Sequence, residues 1–444
     1  MSQLIVGLVI FASIIAGKLI FKKWFNHLTL YSLIFGGAVF LYELKWLPYI
    51  DIVSEAWLVI IFSYLSFVFG ILTIISARNV FFENPLHIKR ERIYLKLFAD
   101  DGWTLKYFIL ILSLISLYSA FELWNNLIKE FGSIPAVFIN SKTIYKLNVE
   151  GKLDIATPYL FLFGYVGVFF SGIYTAYNKR FTILSFLPLL SIILREIGLA
   201  GRAGMLVALA EFVISFILFR HLLNNDIDQK FKFSKKKLIL GSLVFIILFT
   251  IASSLVRVTR SSESSEDFAG ASSELKQTKD NIFISPSVYL YLSSDVGVLS
   301  KYLSSNGEKT EIGQNTFLTL YVFISKLGII KRPNEFQRGY NIPMWTNTGT
   351  YLRELHADFG ISGILLGPYL LGVIITWLWF LFYEKHSMIV FVLLVYLNII
   401  IGFSFFVIAS RVLYWNFSLV LNVLFIPILE RTAAIKNTKN KNAT

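Results

Sequence analysis

The sequence predicts an all-α polytopic membrane protein with about eleven transmembrane helices. Hydrophobic residues make up 56% of the 444-residue chain, and its mean hydropathy is +0.65. Apolar runs of about 18 to 25 residues recur along its whole length, and each can cross a hydrocarbon core of roughly 30 Å. A membrane β-barrel would instead alternate apolar and polar residues in short segments. No soluble domain is predicted.

The predicted helices follow one another along the chain. They cover residues 3–20, 28–46, 55–77, 105–124, 157–177, 181–198, 203–220, 237–256, 358–383, 387–409 and 411–430. The first apolar run has no basic residue before it, since Lys18, Lys22 and Lys23 follow the run. This order favours a retained helix over a cleaved signal peptide.

The distribution of basic residues predicts the orientation. Lysines and arginines concentrate in the short segments on one side, so the N-terminus is predicted outside and the C-terminus in the cytoplasm. Residues 1–256 then hold helices 1–8, residues 257–356 form one large external loop, residues 357–430 hold helices 9–11, and residues 431–444 form a basic cytoplasmic tail. Two amphipathic parts of the loop, PSVYLYLSSDVGVLSKYL and TFLTLYVFISKLGI, are expected to lie on the membrane surface or to cover the helices.

The composition excludes several chemistries. The chain has no cysteine, which rules out disulfides, thiolate catalysis and cysteine metal sites. His356 alone among the histidines maps to the external side, so no metal site is predicted there. The sequence has no GxxxxGK phosphate loop, and we predict no cofactor. The net charge of +13 does not indicate nucleic-acid binding, because the basic residues lie mostly in short loops between apolar runs.

Arginines are predicted to gather on the external side. Arg195 and Arg202 lie in REIGLAGRAGM, whose glycines would let the backbone approach a ligand closely. Arg257 and Arg260 follow the helix 237–256, and Arg411 is a further member. Guanidinium groups stay protonated and bind phosphate oxygens as a fork, which suits a lipid-linked phosphate or diphosphate. The alternative is that these arginines anchor helix ends at the interface.

The stretch TNTGTYLRELHADFGISG (346–363) carries four ionisable groups next to an apolar run. At helical spacing Arg353 and His356 share one face, while Glu354 and Asp358 share another. His356, Glu354 and Asp358 are therefore three candidates for a general base. The alternative for His356 is a structural role.

Two short stretches also carry a family resemblance. NTGTYLRELHADFGISGILLGPYLLG (347–372) has an Asn/Thr segment, an acidic-Phe-Gly turn and a small-residue helix, and GLAGRAGMLVAL (198–209) has an Arg/Gly helix start. Both resemble segments of the oligosaccharide repeat-unit polymerases, which are the Wzy-type O-antigen and capsule polymerases. The predicted helix number and the large late loop agree with their GT-C-like architecture, which O-antigen ligases share.

The resemblance implies a function. Such an enzyme would transfer a growing glycan from its undecaprenyl diphosphate carrier to a new lipid-linked repeat unit. The reaction would take place at the outer face of the bacterial cytoplasmic membrane and would need neither metal nor nucleotide. Lipid-linked oligosaccharide would be donor and acceptor, and a chain-length regulator and a flippase would be possible partners.

The expected roles are divided among named residues. The matched stretches carry Arg202 and Arg353 as diphosphate ligands and His356, Glu354 and Asp358 as candidate bases. Arg195, Arg257 and Arg260 join the diphosphate ligands on the charge argument alone. The expected sugar-stacking residues are Tyr340, Trp345 and Tyr351.

Three alternatives stay open at the level of sequence. An O-antigen ligase-like enzyme would have the same topology and chemistry with a different acceptor. A flippase or transporter of lipid-linked glycan would carry charge inside its helices, but the helix interiors here are nearly free of charge and Glu211 is the main exception. A non-catalytic envelope-assembly protein would tolerate loss of the external arginines.

Overall fold

The predicted all-α membrane class is confirmed. The computed structural model describes residues 2–78, 93–149, 152–153, 157–226, 286–334, 337–342 and 345–443. Most of these residues are helical. Two short strands, β1 (Tyr340–Asn341) and β2 (Trp345–Thr346), pair antiparallel with Tyr340 opposite Thr346.

The helices are numbered in chain order. The first nine are α1 (Ser2–Phe21), α2 (His27–Leu44, with a π-helical turn at Ser32–Gly36), α3 (Ser54–Ser76), α4 (Trp103–Phe131), α5 (Ile134–Ile139), α6 (Ser141–Val149), α7 (Leu162–Asn178), α8 (Ile183–Gly198) and α9 (Ala203–Asp226). The others are α10 (Pro286–Ser304), α11 (Leu318–Lys326), α12 (Tyr351–Phe359), α13 (Ile361–Lys385), α14 (Met388–Phe403) and α15 (Leu413–Ala443).

Seven of the described helices are long and apolar enough to cross a membrane, namely α1, α2, α3, α4, α9, α13 and α15. Helices α7, α8 and α14 are shorter, with 17, 16 and 16 residues. The predicted helix 237–256 lies outside the described residues. The total of eleven and the orientation stay predictions.

Two helix boundaries differ from the sequence-based ones in a way that matters for the site. The predicted helix 358–383 corresponds to α13, which begins at Ile361, because Gly360 takes a positive φ of 64° and separates it from α12, which ends at Phe359. Glycine adopts that backbone conformation readily. Arg411 precedes α15 in a short 3-10 turn and is not part of the helix.

The first of two compact units comprises Met1–Ile88, Glu266–Leu381 and Leu397–Asn416. Helix α10, predicted to lie on the membrane surface or to cover the helices, packs against α2, α3 and their connection. The Tyr49 hydroxyl lies 2.9 Å from the Ser293 hydroxyl, and the Val53 amide donates to Ser300 at 3.0 Å. At Gly297 an added Cβ would lie 2.5 Å from the Tyr42 hydroxyl, so the glycine permits this close approach.

Helices α3 and α13 of the same unit approach each other through glycines. A Cβ added at Gly70 would lie 2.2 Å from the Tyr369 carbonyl oxygen, and one at Gly372 would lie 2.3 Å from that of Phe67. Both obstacles are backbone atoms, which cannot move aside as a side chain can. Small residues at such crossings let membrane helices gain van der Waals contact.

The second unit comprises Lys89–Ser265, Phe382–Tyr396 and Phe417–Thr444. Small and polar side chains line the contacts among its helices. Ser191 donates to Ser116 at 2.7 Å, and a Cβ at Gly164 would lie 2.4 Å from the Ser116 hydroxyl oxygen. Glu211 of α9 is fully buried and accepts a hydrogen bond from Tyr396.

We predict that Gly70→Ala destabilises the protein by about 1–3 kcal/mol, the usual cost of overpacking. The matched control is Gly37→Ala on α2, where an added Cβ meets nothing within 4 Å. The control should keep or raise the thermal unfolding midpoint in detergent, since alanine favours the helix. Equal midpoints for the two variants would contradict the close crossing of α3 and α13.

Candidate active site

Helix α12 lies inside the first unit and is mostly buried. Tyr351, Arg353, Glu354 and Asp358 are all buried, whereas His356 is half-buried. The helix ends where the Gly360 amide donates to the His356 carbonyl at 2.8 Å. The ionisable groups of α12 therefore contact other residues of the protein. Each contact affects whether the group can bind a ligand or accept a proton.

Arg353 is fully buried and carries several polar contacts. Its Nη2 donates to Glu308 Oε1 at 2.7 Å and to the Arg338 carbonyl at 2.6 Å. Its Nη1 donates to the Asn347 carbonyl at 3.3 Å. The Glu308 side chain is 31% exposed. A phosphate oxygen that binds this guanidinium would have to replace the Glu308 carboxylate.

Two tyrosine rings flank the same guanidinium. Its central carbon lies 5.4 Å from the ring centroids of both Tyr302 and Tyr340, within cation–π range. Burial raises the pKa of the Tyr302 hydroxyl to about 12, although the charge of Arg353 opposes the shift. Tyr302 therefore keeps its proton at neutral pH.

Tyr302 also orients His356. Its hydroxyl lies 3.1 Å from the Glu308 carbonyl oxygen and 3.0 Å from His356 Nδ1. A carbonyl can only accept, so the tyrosine donates its single proton to Glu308 and accepts from Nδ1–H. This tautomer leaves Nε2 of His356 unprotonated. Burial and the nearby Lys309 charge lower the pKa of His356, so the ring is neutral at pH 7 and Nε2 can accept a proton.

Glu354 is buried and ion-paired. Its carboxylate accepts from the Arg411 guanidinium and from the Ile408 amide. Burial raises its pKa, and Arg411 and the Ile408 amide oppose the rise. The pairing fastens α12 to the turn before α15 and occupies both oxygens of the carboxylate.

Asp358 accepts five hydrogen bonds and organises the turn 310–316. Oδ1 accepts from the Thr310 hydroxyl at 2.7 Å and from the Asn315 amide and side chain, each at 2.9 Å. Oδ2 accepts from the Thr316 amide and hydroxyl, each at 2.8 Å. This saturation favours a structural role for Asp358 over that of a base.

Asp295 of α10 is not among the site residues predicted from the sequence. It is 2% exposed, and neither carboxylate oxygen has a close hydrogen-bond partner among the described residues. Burial raises its pKa well above the usual range, Thr348 and Arg353 oppose the rise, and Glu354 adds to it. Asp295 is thus a buried acid beside the charged groups of α12, and its burial disfavours the charged form. Its signal in the sequence is an acid within the apolar pattern of PSVYLYLSSDVGVLSKYL.

Arg195 and Arg202 belong to the second unit. Arg195 lies 3.0 Å from Glu196 Oε1, and its guanidinium is 3.6 Å from the Phe161 ring centroid. The glycines predicted to admit a ligand instead enclose Glu196, since a Cβ at Gly201 would lie 2.4 Å from its Oε2. Arg202 precedes α9 and is partly exposed. The predicted partners Arg257 and Arg260 lie outside the described residues.

The three aromatic residues predicted to stack on sugars differ in exposure. Tyr351 is a core residue, and its hydroxyl lies 2.7 Å from that of Tyr31, so the structure gives it no surface for a sugar. Tyr340 is also buried and packs beside Arg353. Trp345 is 58% exposed in β2 and remains suited to the predicted role.

Comparison of the chain with protein-family models, with curated proteins and with solved structures gave no match. The resemblance to repeat-unit polymerases therefore rests on residues 198–209 and 347–372. In the described part of the chain, no group of three or more His, Cys, Asp or Glu residues could hold a metal ion.

We predict opposite effects on stability for two aspartates. Asp358→Asn should cost about 1.5–3 kcal/mol, because both carboxylate oxygens accept hydrogen bonds and an amide nitrogen cannot accept. Asp295→Asn should leave the thermal unfolding midpoint unchanged or raised at pH 7, since it replaces a buried carboxyl group whose charged form burial disfavours and whose oxygens have no close hydrogen-bond partner among the described residues. A lower midpoint for Asp295→Asn than for Asp358→Asn would contradict these assignments.

Proposed function

We propose that the chain is a membrane glycosyltransferase that joins lipid-linked oligosaccharide repeat units into a polysaccharide. The observation that carries the proposal is the position of Tyr302, which contacts both Arg353 and His356. One side chain thus links a buried cation to a neutral imidazole with an unprotonated Nε2. A cation and a base at one place suit transfer of a glycan from a diphosphate to a hydroxyl group.

The proposed reaction moves one proton and one glycosyl group. The acceptor hydroxyl gives its proton to His356 Nε2, and its oxygen bonds to the anomeric carbon of the donor glycan. The bond from that carbon to the carrier diphosphate breaks, and the diphosphate leaves with the bonding electrons. Its growing charge is stabilised by guanidinium groups, and the leaving group is already activated, so the step needs no nucleotide.

His356 is the preferred base among the three candidates. Asp358 accepts five hydrogen bonds, and both oxygens of Glu354 bind Arg411 or the Ile408 amide. Either carboxylate would have to break structural contacts before it could take a proton from substrate. His356 is half-buried and would need no such rearrangement.

Arg353 is the preferred ligand for the diphosphate. Its guanidinium holds the Glu308 carboxylate at 2.7 Å, and a phosphate oxygen resembles a carboxylate oxygen in charge and in acceptor geometry. Arg195, Arg202, Arg257 and Arg260 remain predicted ligands on the strength of the sequence. Arg411 is a weaker candidate because its partner Glu354 is only 1% exposed, whereas Glu308 is 31% exposed and easier for a phosphate to displace.

The setting of the reaction follows from the resemblance. We place it at the outer face of a bacterial cytoplasmic membrane, with undecaprenyl-diphosphate-linked oligosaccharide as donor and acceptor. A ligase-like enzyme would use the same groups with another acceptor. The two are separated by products in a deletion strain: loss of a polymerase leaves capped single units, whereas loss of a ligase leaves polymer on the carrier.

One observation favours the transport alternative. Glu211 is fully buried in a spanning helix and is hydrogen-bonded to Tyr396, which also accepts from Asn422 at 2.8 Å. Ionisable groups within membrane helices often mark ion or substrate pathways. Glu211→Gln separates the two functions, because transport of the lipid-linked glycan would fail with this variant while chain extension by a polymerase would continue.

We predict that His356→Gln slows chain extension by about a hundredfold or more, the usual contribution of a general base. Tyr302→Phe should also slow it, because Nδ1–H loses its acceptor and the tautomer is no longer fixed. The assay uses membranes of the deletion strain, which contain accumulated lipid-linked units, with added purified variant. The rate of polymer formation is measured on gels.

His221→Gln is the matched control, as it removes a histidine of the second unit and should leave the rate unchanged. Thermal unfolding of each variant separates loss of catalysis from loss of folding. Normal polymerisation by a folded His356→Gln protein would overturn the role of His356 as the base.

A further inference from the structure

Helix α11 and its flanks expose several large apolar side chains outside the seven spanning helices. Leu320 and Phe323 of α11 and Leu327 just beyond it are 54%, 60% and 60% exposed. Their spacing of three and four residues places them on one face of the helix. Large exposed residues extend this surface at both ends, namely Ile312, Phe317, Ile329 and Ile330.

Helix α11 is fixed to the protein through Thr319, near the margin of the apolar face. Thr319 donates from its hydroxyl to the Arg411 carbonyl at 3.1 Å and accepts from the Asn416 side chain at 3.0 Å. Asn416 lies in the first turn of α15, whose apolar span begins at Leu413. Helix α11 is therefore held at the level where a spanning helix enters the membrane.

Basic residues accompany the apolar face. Lys326, at the end of α11, and Lys331 and Arg332, just beyond it, are all exposed. At helical spacing Lys326 lies about 100° from Leu327, at the margin of the apolar face. Basic side chains beside an apolar helical face are the pattern of helices that lie in a membrane interface and meet anionic headgroups.

We propose that residues 312–332 form an anchor that lies in the plane of the membrane interface, with α11 as its centre. Leu320, Phe323 and Leu327 enter the boundary between headgroups and acyl chains, and the basic residues contact phospholipid headgroups. The occupant of this surface is the bilayer in which the spans of the chain itself lie. The proposal is independent of the enzymatic function and of which side of the membrane α11 occupies.

The anchor has a structural consequence for α12. The turn 310–316, which precedes α11, donates hydrogen bonds to Asp358 of α12. The Ser410 hydroxyl also donates to the Thr316 carbonyl of this turn at 2.9 Å. Contacts of α11 with lipid would thus help to fix the turn 310–316, and through Asp358 they would help to fix α12. The head group of a lipid-linked substrate would lie at the same depth in the membrane interface.

The absence of cysteine makes the experiment direct, because each single-cysteine variant carries one nitroxide label. We would label Leu320→Cys, Phe323→Cys and Leu327→Cys in vesicles of equal parts phosphatidylcholine and phosphatidylglycerol. Collisions with oxygen, which concentrates in lipid, are compared with collisions with a water-soluble nickel chelate. Leu366→Cys, exposed in spanning helix α13, is the lipid reference, and exposed Ser304→Cys is the water reference.

We expect oxygen to dominate over nickel at the three anchor positions, as at Leu366, and nickel to dominate at Ser304. A nickel-dominated result at the anchor positions would overturn the proposal. Protection from both reagents would also overturn it, because the face would then be covered by protein such as a second copy of the chain. If one variant fails to fold, the other two positions give the same test.

Discussion

The buried ion pair between Glu354 and Arg411 is the interaction on which the candidate site depends. A charge inside a protein is costly unless a partner of opposite charge and additional hydrogen bonds offset its loss of water. Glu354 obtains both from the turn before α15. Removal of one partner of such a pair typically costs about 3–5 kcal/mol, so the position of α12 is strongly specified.

The need of buried charges for partners also separates the ionisable groups of α12 by role. Asp358 accepts hydrogen bonds from the turn 310–316, and the two terminal nitrogens of Arg353 donate to Glu308 and to two backbone carbonyls. His356 is the exception, since it is only half-buried and its protonation is set by one tyrosine. In the proposed function, structural and reactive roles thus alternate along a single short helix, and the ion pairs hold the histidine in place.

The sequence was sufficient for the fold class and for most helices, because apolar runs of spanning length are stable in few environments besides a bilayer. It also placed Arg353 and His356 on one face, since helical spacing is local. Which face of α12 is buried depends on residues distant in the sequence, such as Glu308 and Arg411. The spacing of residues within α12 gives no information about these contacts. For the same reason Tyr351 is predicted to contact a sugar but lies in the core. Asp295 was not predicted as a site residue, because the sequence of α10 does not show which of its side chains are buried.

The central claim is that Tyr302 holds His356 as the Nδ1–H tautomer with Nε2 as the proton acceptor. Nitrogen NMR of histidine-labelled protein, with His356→Gln to assign the signal, measures this directly. We expect a protonated Nδ1 and an unprotonated Nε2 at pH 7, with a titration midpoint below the ordinary 6.5 because burial lowers the pKa. A protonated Nε2 at neutral pH, or a midpoint above 6.5, would contradict the claim.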